Sequence, residues 1–115
     1  ISDYNQAIIL NPQYTDAYYN RGNYYLSLGD DNQAIFDYDQ AIILNPQDTT
    51  TYNNRGVAYY YLAKNEPDII TQQGYAQKGI DDFRMAESLG YQLNSGTQQL
   101  LTELEAMLAE ITPTP

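Results

Sequence analysis

The sequence predicts an all-α fold, a solenoid of antiparallel helix hairpins with a C-terminal capping helix. The main observation is an internal repeat: AIILNP occurs at residues 7–12 and again at 41–46, an offset of 34. At that offset, 18 of the 29 residues in 1–29 are identical to those in 35–63. Within each unit, apolar residues recur at helical spacing, and Gly or Pro separates the periodic segments.

The repeat divides the 115 residues, which we expect to form a single domain, into five parts. Residues 1–14 form a half repeat, 15–48 a full repeat, 49–93 a second repeat with an 11-residue insertion at about 64–78, 94–111 a capping helix and 112–115 a tail. Ile1 falls in the middle of a unit. The first helix, at about 1–11, therefore has no partner here, which indicates a fragment of a longer array.

The first full repeat contains two predicted helices. Gly29 ends the first helix, and Asp30 is placed to cap the second, with Gln33 completing a capping box. Asn45-Pro46 stops the second helix, because proline disfavours helical geometry in the residue before it. The first helix has an inward stripe of Tyr18, Gly22, Tyr25 and Leu28. The second has Ala34, Ile35, Tyr38, Ala41, Ile42 and Leu44 inward, with Asp37, Asp39 and Gln40 outward.

A weaker third copy follows, since residues 34–44 align with 79–89 at an offset of 45. The insertion before it could be a loop or a helical extension. Eleven residues make close to three helical turns, so an extension would keep the apolar positions in phase. We expect a helix from about Pro67 to Leu89 that projects as a spur carrying Ile69, Ile70 and Tyr75.

The last segment, Gln98 to Glu110, is amphipathic, as a solenoid's terminal helix must be to seal its final apolar face. One side carries Leu100, Leu101, Leu104, Met107 and Leu108, and the other carries Thr102, Glu103, Glu105 and Glu110. We expect Thr112-Pro-Thr-Pro to form a frayed tail.

Composition excludes several function classes. With 15 acidic and 5 basic residues the net charge is −10, which opposes nucleic-acid and anionic-membrane partners. There is no Cys and no His, so a thiolate metal site and the commonest general base are missing. The acid pairs Asp30-Asp31 and Asp81-Asp82 are assigned to capping and solvation, because adjacent helix residues do not converge. We expect no enzyme activity, no cofactor, no metal and no membrane insertion.

The repeated pattern of tyrosine, glycine and alanine positions resembles the tetratricopeptide repeat, whose period is 34 residues. The first repeat carries the pattern at Tyr18, Gly22, Tyr25, Ala34, Tyr38, Ala41 and Pro46. The second carries it at Tyr52, Gly56, Tyr59, Gly79, Phe83 and Ala86. The resemblance implies a right-handed superhelix with the first helix of each hairpin on the concave side, and the composition is in the style of bacterial arrays. Arg21 and Arg55 stand where leucine is usual, and Tyr91 where the closing proline is usual.

The resemblance also implies a groove that binds a peptide segment of a partner protein. The groove positions are Asp16, Tyr19, Asn20, Asn23, Leu26 and Ser27 in the first repeat, Thr50, Asn53, Asn54, Val57, Tyr60 and Tyr61 in the second, and Gln98, Thr102 and Glu105 in the capping helix. For Asn23 and Asn53 the alternative is solvation alone, and for Tyr60 and Tyr61 it is a core role. In one branch of the family, lysines at the positions of Asp16 and Tyr19 bind the C-terminal carboxylate of a partner protein. Because those lysines are missing here, we expect the bound segment of the partner to be neutral, apolar or basic.

Arg21 and Arg55 have two possible roles. They could bind the partner, or form structural ion pairs with an aspartate such as Asp3, Asp37 or Asp39. The structural role is favoured, because an arginine buried without a partner is costly.

The predicted function is a non-enzymatic interaction module that binds a peptide in the concave groove. The alternative is a structural scaffold that self-associates through its open N-terminal face or spaces larger domains. No signal-peptide pattern opens the chain, which favours a cytoplasmic location, although a targeting segment could lie upstream of Ile1.

Overall fold

A computed structural model describes residues 2–109, and within that range it contains six α-helices and no strands. The all-α repeat fold predicted from the sequence is confirmed. Glu110 and the predicted tail lie outside the described residues. The helices are α1 (Ser2–Leu10), α2 (Thr15–Ser27), α3 (Asp31–Leu44), α4 (Thr49–Asn65), α5 (Ile69–Ser88) and α6 (Ser95–Ala109).

Local capping fixes the start of three helices. The carboxylate of Asp30 accepts a hydrogen bond from the backbone N–H of Gln33 at the start of α3. Asp48 does the same for α4 and Asp68 for α5, each satisfying a backbone donor that has no partner inside the helix. Gly29, with φ of 77°, reverses the chain after α2, as the sequence predicts.

The helices form two layers. In one layer α2 contacts α4 and α4 contacts α6, while in the other layer α1, α3 and α5 do not contact one another. The two helices of each hairpin pack against each other across the layers, α2 against α3 and α4 against α5. Helix α3 also packs against α4 of the next hairpin. Because neighbouring helices meet in the first layer and are apart in the second, the array curves with α2, α4 and α6 on its concave side.

Aromatic rings of the second layer fill the space between hairpin partners. Tyr38 of α3 and Phe83 of α5 are fully buried. A Cβ atom on Gly22 would lie 2.7 Å from the ring of Tyr38, and one on Gly56 would lie 2.8 Å from the ring of Phe83. The absence of a side chain at Gly22 and Gly56 therefore admits a ring, which sets the distance between the two helices of a hairpin.

The inserted residues lengthen both helices of the second hairpin. Helix α4 has 17 residues against 13 in α2, and α5 has 20 against 14 in α3. Helix α5 begins at Ile69, two residues after the predicted start, because Asp68 is the cap. Ile69 and Ile70 are exposed. Tyr75 is half-buried and stacks on Tyr59, so it does not project as a spur residue.

None of the helices within residues 2–109 combines the length and the apolar character needed to cross a bilayer.

Candidate functional site

The predicted groove positions of α2 lie along the concave layer with graded exposure. Asp16, Asn20 and Ser27 are exposed, and Tyr19, Asn23 and Leu26 are half-buried. The hydroxyl of Ser27 donates to the carbonyl oxygen of Tyr24 at 2.6 Å, so its own lone pairs remain able to accept. These six side chains give the surface of α2 both polar and apolar groups.

A hydrogen-bond network joins α2, α3 and α4 beneath this surface. The Nδ2 group of Asn54 donates to the hydroxyl oxygen of Tyr19 at 3.1 Å and to Oδ1 of Asn23 at 3.0 Å. The hydroxyl of Tyr38 donates to the same Oδ1 of Asn23 at 2.5 Å, and burial raises the pKa of that hydroxyl. The predicted groove residues Tyr19, Asn23 and Asn54 thus hold the two hairpins together, and this fixes the orientation of the groups that face the groove.

Two predicted contacts are buried and do not belong to the accessible surface. Asn53 is 8% exposed, and its Nδ2 group donates to Oδ1 of Asn54 at 3.3 Å. Tyr60 is 4% exposed because α6 packs over it, and its hydroxyl donates to Oε2 of Glu103 at 2.8 Å. Burial and this contact raise the pKa of Tyr60 to about 12. Helical periodicity places Tyr60 on the groove stripe, but the capping helix covers that part of the stripe.

Several remaining predicted positions serve local structure. Thr50 donates from its backbone N–H and its hydroxyl to Asp48, at 3.2 and 2.7 Å, as part of the α4 cap. Thr102 donates to the carbonyl oxygen of Gln98 at 3.0 Å. The exposed Gln98 donates to the carbonyl oxygen of Leu93, Glu105 accepts from Arg84 on α5, and Val57 is half-buried against the core cluster. Tyr61, at 42% exposure, offers the most open aromatic ring among the predicted groove positions.

The two arginines form the predicted structural ion pairs. Arg21 donates from Nε and Nη2 to the carboxylate of Asp37 at 2.8 and 2.6 Å, and from Nη1 to Asn5 of α1. Arg55 donates in the same way to Asp82 of α5, with both distances 2.8 Å, and from Nη1 to Asp39 of α3 at 2.8 Å. Each arginine therefore joins its own hairpin to the preceding one.

Two aspartates that the sequence places in solvent are buried instead. Asp37, predicted to face outward, is 1% exposed, and Asp82, assigned to capping and solvation, is 4% exposed. Both turn inward because an arginine of the facing helix meets the carboxylate with two parallel hydrogen bonds. Burial raises the pKa of Asp82, against the opposing effect of Arg55.

All five basic residues of the chain are occupied by contacts within it. Arg84 pairs with Glu87 and Glu105 on the surface. Lys64 lies over the ring of Tyr60 at 5.8 Å, and Lys78 over the ring of Tyr59 at 5.7 Å. The chain carries 15 acidic residues, and the exposed acids of the concave layer include Asp16 and Glu103. The exposed charged residues of the described concave helices are the acids Asp16, Glu103 and Glu105 and the base Lys64, so negative charge is in excess on that layer.

Two of the cavities on the described part of the molecule are lined in part by residues of α4. One of about 510 Å³ lies outside the concave layer, between α3 and α5, and its floor is the Arg55 ion pair. The other, of about 260 Å³, lies at the end of the concave layer between the C-terminal ends of α2 and α4. Its walls are Leu26, Ser27, Gly29, Asp31, Tyr61 and Asn65. Residues 2–109 bring together no group of three His, Cys, Asp or Glu side chains suited to a metal ion.

Comparison with known proteins gives a family match and a structural match. Residues 15–48 match the tetratricopeptide repeat family. The solved structure of the first tetratricopeptide domain of Spaghetti (RPAP3), bound to the HSP90 peptide SRMEEVD, is similar, with a TM-score of 0.75 and 23% identity over 92% of this chain and 75% of that one. It is one of 29 solved chains that match, whereas no curated protein sequence does. Residues 15–48 thus match the tetratricopeptide repeat family, and the described helices share the fold of a solved tetratricopeptide domain.

Proposed function

We propose that this chain is a non-enzymatic protein–protein interaction module that binds a peptide segment of a partner in the concave groove formed by α2, α4 and α6. The observation that carries the proposal is the surface along α2 and α4. This surface includes the exposed Asp16, Asn20 and Tyr61 and the half-buried Tyr19 and Asn23. Amide groups can donate to and accept from a peptide backbone, and tyrosine rings give large contact faces at low entropic cost.

The network under the surface supports the proposal. Asn54 and Tyr38 both donate to Oδ1 of Asn23, and the Nδ2 group of Asn23 donates to no residue within 2–109. An asparagine held in one orientation by its own acceptor presents its donors to a ligand without first losing rotamer entropy. The groove is thus organised before a partner arrives.

The charge of the groove indicates the chemistry of the segment. The peptide in the RPAP3 structure, SRMEEVD, contains three acidic residues. In this chain the exposed Asp16 and the half-buried Tyr19 lie on the corresponding layer, where Arg21 and Arg55 are held in ion pairs and Lys64 is the one exposed basic residue of the described concave helices. Opposite charges favour association and like charges oppose it, so a neutral, apolar or basic segment is the proposed ligand.

The experiment selects binding peptides from a randomised peptide library with the 115-residue chain, then measures their affinity by fluorescence polarisation. Replacing Tyr19 and Asn20 by alanine together should weaken binding at least tenfold. The matched control is Phe36→Ala, which truncates a 57% exposed ring on α3, in the other layer, and should change affinity less than twofold. Equal weakening by both variants, or failure of the library to yield any binder, would show that the groove is not the binding surface.

A second candidate function is self-association, the alternative that the sequence left open. It is favoured by Ile9 and Leu10 at the end of α1, which are 72% and 76% exposed. Sedimentation velocity between 5 and 500 μM, concentrations chosen for the assay, would separate the two candidates. A monomer throughout that range excludes self-association, and a dimer that Ile9→Ser with Leu10→Ser dissociates supports it.

A further inference from the structure

The second layer contributes one polar group to the network beneath the groove, the hydroxyl of Tyr38. The ring of Tyr38 is fully buried, and a Cβ atom on Gly22 would lie 2.7 Å from it. The equivalent ring of the second hairpin is Phe83, which is also fully buried and would lie 2.8 Å from a Cβ atom on Gly56. A phenyl ring is therefore enough to pack a hairpin of this chain, and the hydroxyl of Tyr38 is not needed for that purpose.

The residue that this hydroxyl contacts changes together with it. In the first hairpin the hydroxyl of Tyr38 donates to Oδ1 of Asn23 at 2.5 Å. In the second hairpin the place of Asn23 is taken by Val57, whose side chain cannot accept a hydrogen bond. The chain thus combines Tyr with Asn in one hairpin and Phe with Val in the other. Since a buried hydroxyl without an acceptor is costly, the hydroxyl and the amide belong together.

The hydroxyl of Tyr38 determines which end of the Asn23 amide faces the interior. Burial raises the pKa of this hydroxyl, so it keeps its proton at neutral pH and needs an acceptor. Asn23 therefore turns its oxygen inward, where Nδ2 of Asn54 donates to the same atom at 3.0 Å. The Nδ2 group of Asn23 donates to no residue within 2–109, and it is not among the buried side-chain atoms of that range that lack a partner. This donor is therefore accessible from outside.

We propose that Tyr38 is a positioning residue of the concave groove, whose hydroxyl holds the amide of Asn23 so that Nδ2 is offered as a donor to an acceptor oxygen of the partner's segment. The proposal rests on the proposed function, because Tyr38 acts on the segment only through Asn23. A side chain that is already held in its binding orientation loses less conformational entropy when the ligand binds. Tyr38→Phe should therefore weaken binding and leave the packing of the hairpin intact.

The first measurement is the ¹⁵N order parameter of the Asn23 side-chain amide in the free 115-residue chain. A rigid backbone group has an order parameter of about 0.85, and a flexible group has one below about 0.6. We expect a value close to that of the rigid backbone in the wild type and a fall towards the flexible range in Tyr38→Phe. The exposed Asn20 on the same helix is the internal reference and should be flexible in both proteins. An Asn23 amide that is equally rigid in both proteins would overturn the proposal, whether or not a peptide binds.

The second measurement is affinity, with the library peptide that binds the wild-type chain most tightly as the probe. We expect Tyr38→Phe to weaken its binding about fivefold, the size of effect that one neutral hydrogen bond produces. The matched control is Tyr52→Phe, which removes the hydroxyl of another buried tyrosine. That hydroxyl donates to the carbonyl oxygen of Pro46 at 3.0 Å, outside the network, so the control should change affinity less than twofold. Equal weakening by the two variants would overturn the proposal.

A double variant separates positioning from a purely structural role. Asn23→Val alone leaves the hydroxyl of Tyr38 without its acceptor and should lower the thermal midpoint. Adding Tyr38→Phe reproduces the pair of the second hairpin and should restore the midpoint without restoring affinity. In the Asn23→Val background Tyr38→Phe should change affinity less than twofold, because residues that act through one another are not additive; a further fivefold loss would overturn the proposal.

The outcomes for this residue and for the groove are distinguishable. If peptides bind through Tyr19 and Asn20 and Tyr38→Phe does not weaken them, the groove function stands and the role of Tyr38 falls. If the library yields no binder, the groove function falls, and the order parameters still decide whether Tyr38 holds Asn23.

Discussion

Removing Arg55 should destabilise the protein far more than removing a surface arginine. The side chain of Arg55 is 20% exposed and that of Asp82 is 6% exposed, so Arg55→Leu leaves a buried carboxylate without its cation. Breaking a buried ion pair from one side costs about 3–5 kcal/mol. Native domains are stabilised by only about 5–15 kcal/mol. We therefore expect Arg55→Leu to remove a large share of the free energy of unfolding.

The assay is urea denaturation at pH 7, followed by circular dichroism at 222 nm. With a denaturant slope of about 2 kcal/mol per M, the loss corresponds to a midpoint lower by roughly 2 M. The matched control is Arg84→Leu, because Arg84 pairs with Glu87 and Glu105 while 54% exposed. Pairs of that kind contribute about 0–1 kcal/mol, so its midpoint should move by at most about 0.5 M. The double variant with Asp82→Leu should recover most of the loss.

The pH dependence of Arg55→Leu provides a second check. Burial already raises the pKa of Asp82, and loss of Arg55 removes the interaction that opposes this rise. A carboxyl whose pKa is higher in the folded state than in the unfolded state binds its proton more tightly when folded. The deficit relative to the wild type should therefore shrink as the pH falls from 7 towards 4. A deficit that is the same at both pH values, or a cost of Arg55→Leu no larger than that of Arg84→Leu, would refute the reasoning.

Three further predictions concern other parts of the structure. Gly56→Ala should lower the free energy of unfolding by about 1 kcal/mol, because overpacking of the new Cβ atom against the ring of Phe83 at 2.8 Å outweighs the helix propensity of alanine. Gly74→Ala should raise it by about 1 kcal/mol, because no atom lies within 4 Å of the new Cβ atom. Thermal melts that rank the two variants in the opposite order would contradict this. The pKa of the Tyr60 hydroxyl is about 12, against an ordinary value of about 10. The contribution of this hydroxyl to stability should therefore be complete below about pH 10 and decline as the pH rises towards 12. Tyr60→Phe should reduce that decline in alkaline denaturation curves. Asp68→Ala should speed amide hydrogen exchange in the first turn of α5 and leave α2 unchanged; equal acceleration in both helices would show that the cap is not its role.

The hairpins could be predicted from the sequence because their determinants are local and repeat. Gly29 and Asp30 lie within one turn of the helix ends that they define. The small residue at Gly22 and the ring at Tyr38 recur as Gly56 and Phe83 in the next unit. A pattern of capping and small residues that occurs in both repeats is distinguished from one that arises by chance in a single segment.

The buried polar residues could not be predicted in the same way. The sequence names Asp37 as one possible partner of the arginines, but Asp37 occupies an outward phase on α3, and its burial depends on Arg21, which lies on a different helix. Tyr60 lies on the groove stripe by periodicity and is covered by α6, whose position follows from packing rather than from spacing within α4. The cavity beside Asp31 depends on four extra residues of α4, whose effect appears only when the helices are assembled.

The arginine bridges have a consequence for how the array comes apart. Arg55 holds α3 of one hairpin and α5 of the next through a single side chain, and Arg21 does the same for α1 and α3. In stacked repeats, cooperativity depends on the free energy of the interface between neighbours. A charged link that is satisfied only when both neighbours are folded makes fraying of one hairpin expose an ion in the other. Melting should then spread across the interface as one transition, with the second hairpin losing its structure together with the first.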